Sequence, residues 1–193
     1  MKNNKIEALI KNWQKRNIAG YFCGNKEEVA QKLLEMIPAS GSVGFSGSLT
    51  LEQIGILKIL AERGNKTEKN LSGAEYYLTS ANAISEQGEL VFFSAYTNRT
   101  SAIAAGKNVI VVSGVNKLTP NLDAALKRAR ELATPLNCKR LNWNAACLKD
   151  GICHNSACLF PEYKRMCCQL LVIEAEIAAG RLSVVLVDEE LGF

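Results

Sequence analysis

Hydrophobic residues recur along the first two thirds of the chain in two alternating patterns. A spacing of three or four residues is typical of amphipathic helices, and it predicts helices over residues 3–17, 26–37 and 50–63. Short apolar runs bounded by Gly, Asn or Pro are typical of buried strands. They predict strands over residues 19–23, 42–46, 76–79, 89–93 and 108–113. This alternation indicates an α/β fold with a largely parallel sheet and helices on its faces.

Two of the predicted helices carry start signals. Thr50 is followed three residues later by Gln53, which is the pattern of a capping box, and the helix is expected to stop at Gly64. Pro120 predicts a further helix that has proline at its first position and runs to about residue 133. The polar stretches between the third helix and this one that lie outside the predicted strands are expected to be loops.

The last third of the chain has a different character. Residues 138–168, here called the cysteine-rich segment, follow neither pattern and are expected to form a loop-rich insert within a single domain of residues 1–193. Two later apolar runs, over residues 169–175 and 181–191, are separated by a turn around Gly180. We therefore expect them to pair as an antiparallel ribbon added to the sheet.

Composition excludes several classes of protein. The chain has 193 residues, 48% of them hydrophobic and 22% charged, which is typical of a globular protein that buries its core without disulfides. Its apolar runs fall short of the roughly 18 residues that a membrane span needs, so membrane insertion is not expected. The first 17 residues are unlike a secretory signal, and the expected compartment is the cytoplasm. A net charge of +4, spread along the chain, gives no sign of nucleic-acid binding.

A loop of glycine and serine residues joins the second predicted strand to the third predicted helix. It contains Gly47, Ser48 and Thr50, and the free backbone N–H groups of such a junction favour an anion. A helix cap with a tight turn is the alternative, and it requires no ligand. The loop lacks the glycine pattern of dinucleotide sites and the Gly-Lys-Ser/Thr ending of a P-loop, so neither NAD nor ATP has motif support.

Polar residues also follow three later strands, at the sheet edge where open α/β folds bind ligands. They provide one carboxylate, two cations and three amides: Asn82, Glu86, Asn98, Arg99, Asn116 and Lys117. A single Asn at such a place is a routine turn residue. Because polar residues recur at three strand ends, we predict that they bind a small anionic ligand together.

Five of the seven cysteines lie between Cys147 and Cys168, within the cysteine-rich segment. In a cytoplasmic protein, clustered thiols indicate a metal site or catalysis more often than disulfides. The spacing nominates Cys147, Cys153, Cys158 and Cys167 as ligands of an iron–sulfur cluster or, alternatively, of zinc, with Cys168 as a spare. Free structural thiols and redox disulfides are the other possibilities.

The remaining cysteines and the histidine have simpler expected roles. Cys23 and Cys138 stand apart in apolar stretches and are predicted to be buried free thiols. His154 is the only histidine, so it cannot assemble a zinc site of several histidines, and we expect a solvated group that supports its neighbours.

Several ordered motifs resemble those of the LUD-domain family, the lactate-utilisation C-type proteins. They are "GFSGSLTLEQIG", "NAISEQGELV", "VIVVSGVNKLTPNLDAALKRARELATPLNCKRL" and "VVLVDEELGF", and the likeness spans roughly residues 5–193. The resemblance implies a three-layer fold similar to ribose-phosphate isomerases and CoA transferases. In that wider group a carboxylate acts as base or nucleophile, and the resemblance gives this role to Glu86. The four-cysteine spacing is similar to that of one branch of the family, and Thr97 stands where a glycine is common.

The resemblance implies a component of lactate oxidation that works with iron–sulfur partner proteins, in which the cysteine cluster passes electrons or organises the complex. Two alternatives stay open because one fold supports many functions. One is a stand-alone enzyme that acts on a small phosphorylated or acyl anion, with Glu86 as base or nucleophile. The other is an assembly module that zinc stabilises.

Overall fold

Ten strands form two sheets in the computed structural model, which describes residues 2–71 and 73–193. The strands, in chain order, are β1 (Ala19–Cys23), β2 (Val43–Phe45), β3 (Thr67–Lys69), β4 (Tyr76–Thr79), β5 (Ala83–Ser85), β6 (Leu90–Ser94), β7 (Asn108–Gly114), β8 (Leu118–Thr119), β9 (Gln169–Ile173) and β10 (Leu182–Val187). The main sheet has the order β1-β10-β7-β4-β2-β3, and each of its pairs is parallel. The predicted α/β fold with a largely parallel sheet is confirmed.

Seven α-helices surround these sheets in the described ranges. They are α1 (Lys2–Lys15), α2 (Lys26–Met36), α3 (Leu49–Ile54), α4 (Ile56–Glu62), α5 (Asn98–Ala105), α6 (Leu122–Arg128) and α7 (Thr134–Arg140). A π-helical turn, Ala129–Ala133, joins α6 to α7, and 3₁₀ turns occupy Val115–Lys117 and Ala146–Leu148. Over the same ranges, no helix combines the length and the apolar composition needed to cross a membrane.

The two faces of the main sheet are covered differently. Helices α2, α3 and α4 pack on one face, where Leu33, Leu51 and Leu60 are fully buried. Helices α1 and α5 and the second sheet cover the other face, where Trp13 and Phe92 are fully buried. Helix α6 packs in turn on the outside of the second sheet. The helices therefore lie on both sides of the main sheet, as predicted, with a second sheet added on one side.

The prediction that the last two strands form an antiparallel ribbon was wrong. β10 lies between β1 and β7 in the main sheet, whereas β9 pairs antiparallel with β6 in the second sheet, whose order is β8-β5-β6-β9. Every residue of β10 is buried, which suits a central strand, while β9 is partly exposed, which suits a strand at an edge. The difference in burial therefore accounts for the placement of these two strands, which are neighbours in sequence, in different sheets.

The predicted helix over residues 50–63 is two helices, and its predicted cap was also wrong. Gly55 adopts a left-handed conformation, with a φ of 74°, that ends α3 and precedes α4. The cap of α3 is Ser48, whose Oγ accepts a hydrogen bond from Leu51 N at 3.4 Å. Thr50 lies inside the helix and is free to point its hydroxyl elsewhere.

The helix predicted to start at Pro120 begins later. Asn121 caps α6, and its Oδ1 accepts a hydrogen bond from Ala124 N at 2.9 Å. Among the elements that lie in stretches expected to be loops are β3, β5 and α5. The strands are only three residues long, and α5 follows Thr97, a β-branched residue with a φ of 66°, in the region that favours glycine. The two strands are too short, and the start of α5 is too unusual, for a sequence pattern to predict them.

Trp13 connects α1 to both sheets and provides a test of this packing. Its side chain is fully buried, and Nε1 donates a hydrogen bond to Gly88 O at 3.1 Å. We expect Trp13→Ala to lower the free energy of unfolding by about 3–5 kcal/mol, because a large cavity would remain. Urea unfolding measures this change. The control Leu132→Ala, at a side chain that is 47% exposed, should change it by less than about 0.5 kcal/mol, and equal losses would contradict the packing.

Candidate functional site

A small cavity lies at the carboxyl edge of the main sheet, beside the ends of β2, β4 and β7. Its volume is about 40 Å³, and we call it the edge cavity. Six of the eight residues predicted to bind substrate line it: Gly47, Ser48, Thr50, Asn82, Arg99 and Lys117. Because the strands are parallel, residues that are far apart in sequence meet at this edge.

Lys117 is the most deeply buried charged residue of the edge cavity. It is 3% exposed and lies in the 3₁₀ turn after β7. Its Nζ donates hydrogen bonds to Thr50 Oγ1 at 2.9 Å, to Ser80 Oγ at 2.8 Å and to Ala81 O at 3.3 Å. Each of these acceptors is neutral, so the lysine has hydrogen-bond partners but no counter-ion among them.

Cations predominate among the charged side chains that line the edge cavity, although one of them, Arg140, pairs with Glu52 at 3.5 Å. None of the described residues that line it is Asp or Glu, whereas Arg99, Lys117 and Arg140 all line it. Burial, followed by the charges of Arg128 and Arg99, lowers the pKa of Lys117 from 10.5 to about 7. A buried cation without a counter-ion is costly, so this cavity favours either a neutral amine or a bound anion.

Arg99 forms the second cationic wall of the cavity. Its Nη2 donates to Gly47 O at 2.7 Å, and its Nη1 lies 3.5 Å from Asn82 Oδ1. Burial lowers the pKa of Arg99 as well, but a guanidinium keeps its charge at neutral pH. Asn82 is itself held by Arg128, whose Nη1 donates to Asn82 O at 2.6 Å. The position of Arg99 is therefore set by contacts with the loops after β2 and β4.

The other two predicted substrate residues lie beside the cavity and not in its wall. Asn98 Nδ2 donates to Asn70 Oδ1 at 3.0 Å, and Asn98 lines a separate, larger cavity of about 350 Å³ against α5. Asn116 accepts from Leu191 N at 3.2 Å and donates to Gly192 O at 3.3 Å. Asn116 thus fastens the segment that contains Gly192, which lines the edge cavity.

Glu86 does not lie in the edge cavity. Its carboxylate is partly exposed and pairs with Lys5 Nζ at 3.1 Å, and its backbone N–H donates to Thr119 O at 2.8 Å. The reason is β5, which takes up residues 83–85 and carries Glu86 to the end of the second sheet. The role of Glu86 as base or nucleophile stays a prediction, and the edge cavity does not support it because the carboxylate lies elsewhere.

Three polar residues and one glycine that line the edge cavity were not predicted to do so: Ser80, Asn137, Arg140 and Gly192. Ser80 directly follows β4, so its place at the strand end was a usable signal. Asn137 and Arg140 lie on α7, in a stretch without a clear pattern. A Cβ on Gly192 would lie 2.5 Å from Thr50 Oγ1 and 3.1 Å from Lys117 Nζ, so only glycine lets the backbone cover the lysine this closely.

A second cavity, of about 10 Å³, lies in the cysteine-rich segment, and we call it the thiol cavity. Five cysteines line it: Cys138, Cys147, Cys153, Cys158 and Cys167. The four predicted ligands are therefore neighbours of one cavity. Cys138 was predicted to be buried, which it is, but its place beside the other thiols was missed because it stands in an apolar stretch outside the cysteine spacing.

The surroundings of the thiol cavity are mixed. Arg130 and Arg165 line it, while Cys168 is exposed and donates to Arg165 O at 2.7 Å. Burial raises the pKa of Cys138 and of Cys147, so both thiols are protonated at neutral pH. His154 is exposed, and its Nε2 lies 2.8 Å from Asp150 Oδ2.

The donor set and the geometry of the thiol cavity differ in how well they fit a metal. Thiolates are the preferred ligands of zinc and of iron–sulfur iron, so the donor chemistry fits. However, among residues 2–71 and 73–193 no three Cys, His, Asp or Glu side chains are grouped as a metal site requires. The cavity has room for about one water-sized group. Metal binding would therefore require the cysteine side chains to rearrange.

The low pKa of Lys117 predicts a pH dependence of stability. Between about pH 7 and 10.5 the unfolded chain holds a proton on this amine that the folded chain has lost, so stability rises with pH in this window. Lys117→Met removes the effect. From pH 7 to about pH 9.5, urea unfolding should favour the wild type over this variant by a further ~1–3 kcal/mol. The difference for Lys107→Met, at an exposed lysine, should stay constant, and a constant difference for Lys117→Met would contradict the assignment.

A comparison with one solved structure agrees with this fold. The chain is similar to a crystal structure of a DUF162 family protein from Deinococcus radiodurans, with a TM-score of 0.57 and 11% identity over 95% of this chain and 94% of that one. Ribose 5-phosphate isomerase A from Neisseria gonorrhoeae matches over 50% of this chain and 54% of its own, with 15% identity and a TM-score of 0.39. No curated protein matches the chain. The model of the LUD domain matches residues 6–187, and the chain therefore belongs to the LUD domain family.

Proposed function

We propose that this LUD-domain protein has a lactate-utilisation-related role in which the edge cavity binds the carboxylate of a small acid. The observation that carries the proposal is the buried Lys117 amine, which no acidic side chain of the cavity wall neutralises. A bound carboxylate would supply the missing negative charge, and Arg99 in the same cavity would add a second charged hydrogen-bond donor.

The size of the edge cavity favours a short acid. At about 40 Å³ it has room for about three water-sized groups. A carboxylate and its adjacent carbon fill such a space, whereas most of a sugar phosphate or a CoA ester would project out of it. Size therefore favours a lactate-type acid over the phosphorylated or acyl anion of the alternative function.

The acid would be bound by residues of the edge cavity and not by Glu86. Arg99 and Lys117 would hold the carboxylate, Ser80 and Thr50 would orient the lysine, and Gly192 would exclude water from above. Asn116 would support this arrangement by holding the segment that contains Gly192.

Calorimetric titration of L-lactate into the protein at neutral pH tests this function. We expect Lys117→Met and Arg99→Met to weaken binding by about tenfold or more, because each removes a charged partner of the carboxylate. Lys107→Met, at an exposed lysine outside the edge cavity, is the matched control and should bind as the wild type does.

Two further probes sharpen the result. Pyruvate should also bind, while ribose 5-phosphate, the probe for the phosphorylated alternative, should not. If neither lactate nor pyruvate binds, or if Lys117→Met binds both with wild-type affinity, the proposed site is wrong.

We also propose that the cysteine-rich segment holds an iron–sulfur cluster or, as the alternative, zinc. The supporting observation is that five cysteines line a single cavity. Cys147, Cys153, Cys158 and Cys167 would be the ligands, with Cys138 as a fifth thiol within the same cavity. When bound, a cluster would provide electron transfer to iron–sulfur partner proteins of a lactate-oxidising complex, and zinc would instead stabilise an assembly module.

Metal analysis of protein prepared without oxygen tests this second proposal. We expect iron together with acid-labile sulfide, and we expect Cys147→Ser and Cys158→Ser to lower both to background. Cys23→Ser is the matched control, because Cys23 is equally buried but packs with α2 on the other side of the fold. About one zinc per chain would select the alternative. Full stability without any metal would contradict both forms.

A further inference from the structure

The environment of Lys117 has the features of a reactive amine. We propose that the Lys117 Nζ forms an imine with a 2-oxo acid whose carboxylate lies in the edge cavity. The inference rests on the proposed function, since it uses the same cavity, and it narrows the ligand to acids that carry a carbonyl carbon next to the carboxylate.

The hydrogen bonds of Nζ are compatible with a neutral amine. A neutral amine has two N–H donors and one lone pair, and its neighbours are Ala81 O and two hydroxyls, on Thr50 and Ser80. A hydroxyl can donate to the lone pair, which leaves every group satisfied. Ser80 Oγ and Thr50 Oγ1 also lie 3.2 Å apart, so the two hydroxyls can pass a proton between them next to the amine.

The charges around Nζ favour the neutral form. Lysine nucleophiles are activated when they are desolvated or lie beside another cation. Lys117 meets both conditions, because it is 3% exposed and the charges of Arg128 and Arg99 act on it. With a pKa of about 7, about half of the amine is unprotonated at neutral pH, whereas an ordinary lysine is almost wholly protonated there.

The cavity also provides the orientation that imine formation needs. Arg99 lines the same cavity of about 40 Å³ as Nζ. A carboxylate held by Arg99 would keep the neighbouring carbonyl carbon of a 2-oxo acid within the same small space as the amine. A hydroxy acid such as lactate offers no carbonyl carbon at this place, so it would bind without reacting.

The reaction conserves oxidation state. The Nζ lone pair attacks the carbonyl carbon, the C=O π electrons move to oxygen, and a proton transferred through the Ser80 or Thr50 hydroxyl gives a carbinolamine. Loss of the hydroxyl as water then leaves the C=N bond of the imine. Water is the only product besides the imine, and no electron carrier takes part.

Reductive trapping tests the proposal on the wild-type chain. The protein is incubated with pyruvate and cyanoborohydride at neutral pH, and the modified lysines are located by peptide mass spectrometry. We expect one reduced adduct per chain, at Lys117, and no adduct when pyruvate is replaced by lactate. Lys107→Met should be trapped as the wild type is, while Lys117→Met and Lys117→Arg should not be trapped.

The pH dependence of trapping separates this amine from surface lysines. The rate at Lys117 should rise through about pH 7 and then level off, since the amine loses its proton there. Inorganic phosphate should slow the reaction by competing for the cavity. Because the modified residue is located on the wild-type chain, the result does not depend on whether the Lys117 variants fold.

Each outcome is decisive. Pyruvate that binds by calorimetry without forming an adduct at Lys117 would overturn the imine and leave the carboxylate site intact. Adducts spread evenly over surface lysines would overturn the imine too. Failure of both binding and trapping would overturn the proposed function together with this inference.

Discussion

The burial of one lysine without a carboxylate partner is the constraint on which the edge cavity depends. A cation in the interior is costly unless it is paired or loses its proton. Lys117 is surrounded by the hydroxyls of Thr50 and Ser80 and by the carbonyl of Ala81. These acceptors come from α3 and from the residues after β4, and the lysine follows β7. Only the parallel order of these strands brings the groups within hydrogen-bond distance of each other.

Helix α7 connects the edge cavity to the thiol cavity. Asn137 and Arg140 line the edge cavity, and Cys138, on the same helix, lines the thiol cavity. Met166 contacts both Asn137 and Cys138, since its Sδ is 3.2 Å from Asn137 Nδ2 and 3.8 Å from Cys138 Sγ. The two cavities therefore lie on neighbouring faces of the same helix, because consecutive residues are about 100° apart around a helix axis. A ligand in the edge cavity and a metal in the thiol cavity would therefore both lie against the seven-residue helix α7.

The sequence predicted the parts of the fold that follow from repeated burial of apolar side chains. The spacing around Trp13 and the apolar runs of β7 and β10 were sufficient to indicate two helix-covered faces and a parallel sheet. The same pattern does not indicate which strands pair with each other, so the prediction wrongly paired β9 with β10. Short elements such as β5 have too few residues to show a hydrophobic period. Because β5 was not predicted, Glu86 was expected at the edge of the main sheet with the other polar residues.

By itself the sequence determined that polar side chains gather at strand ends and that cysteines cluster, because both follow from residue type and from position along the chain. Only the tertiary structure decided which of these side chains share a cavity. Lys117, Ser80 and Thr50 meet because β7, β4 and β2 are consecutive strands of the main sheet, whereas Glu86 follows β5 of the second sheet. Cys138 joins the thiols through the packing of α7. The physical reason is that sheet order and helix packing depend on contacts between residues far apart in sequence, which no local pattern records.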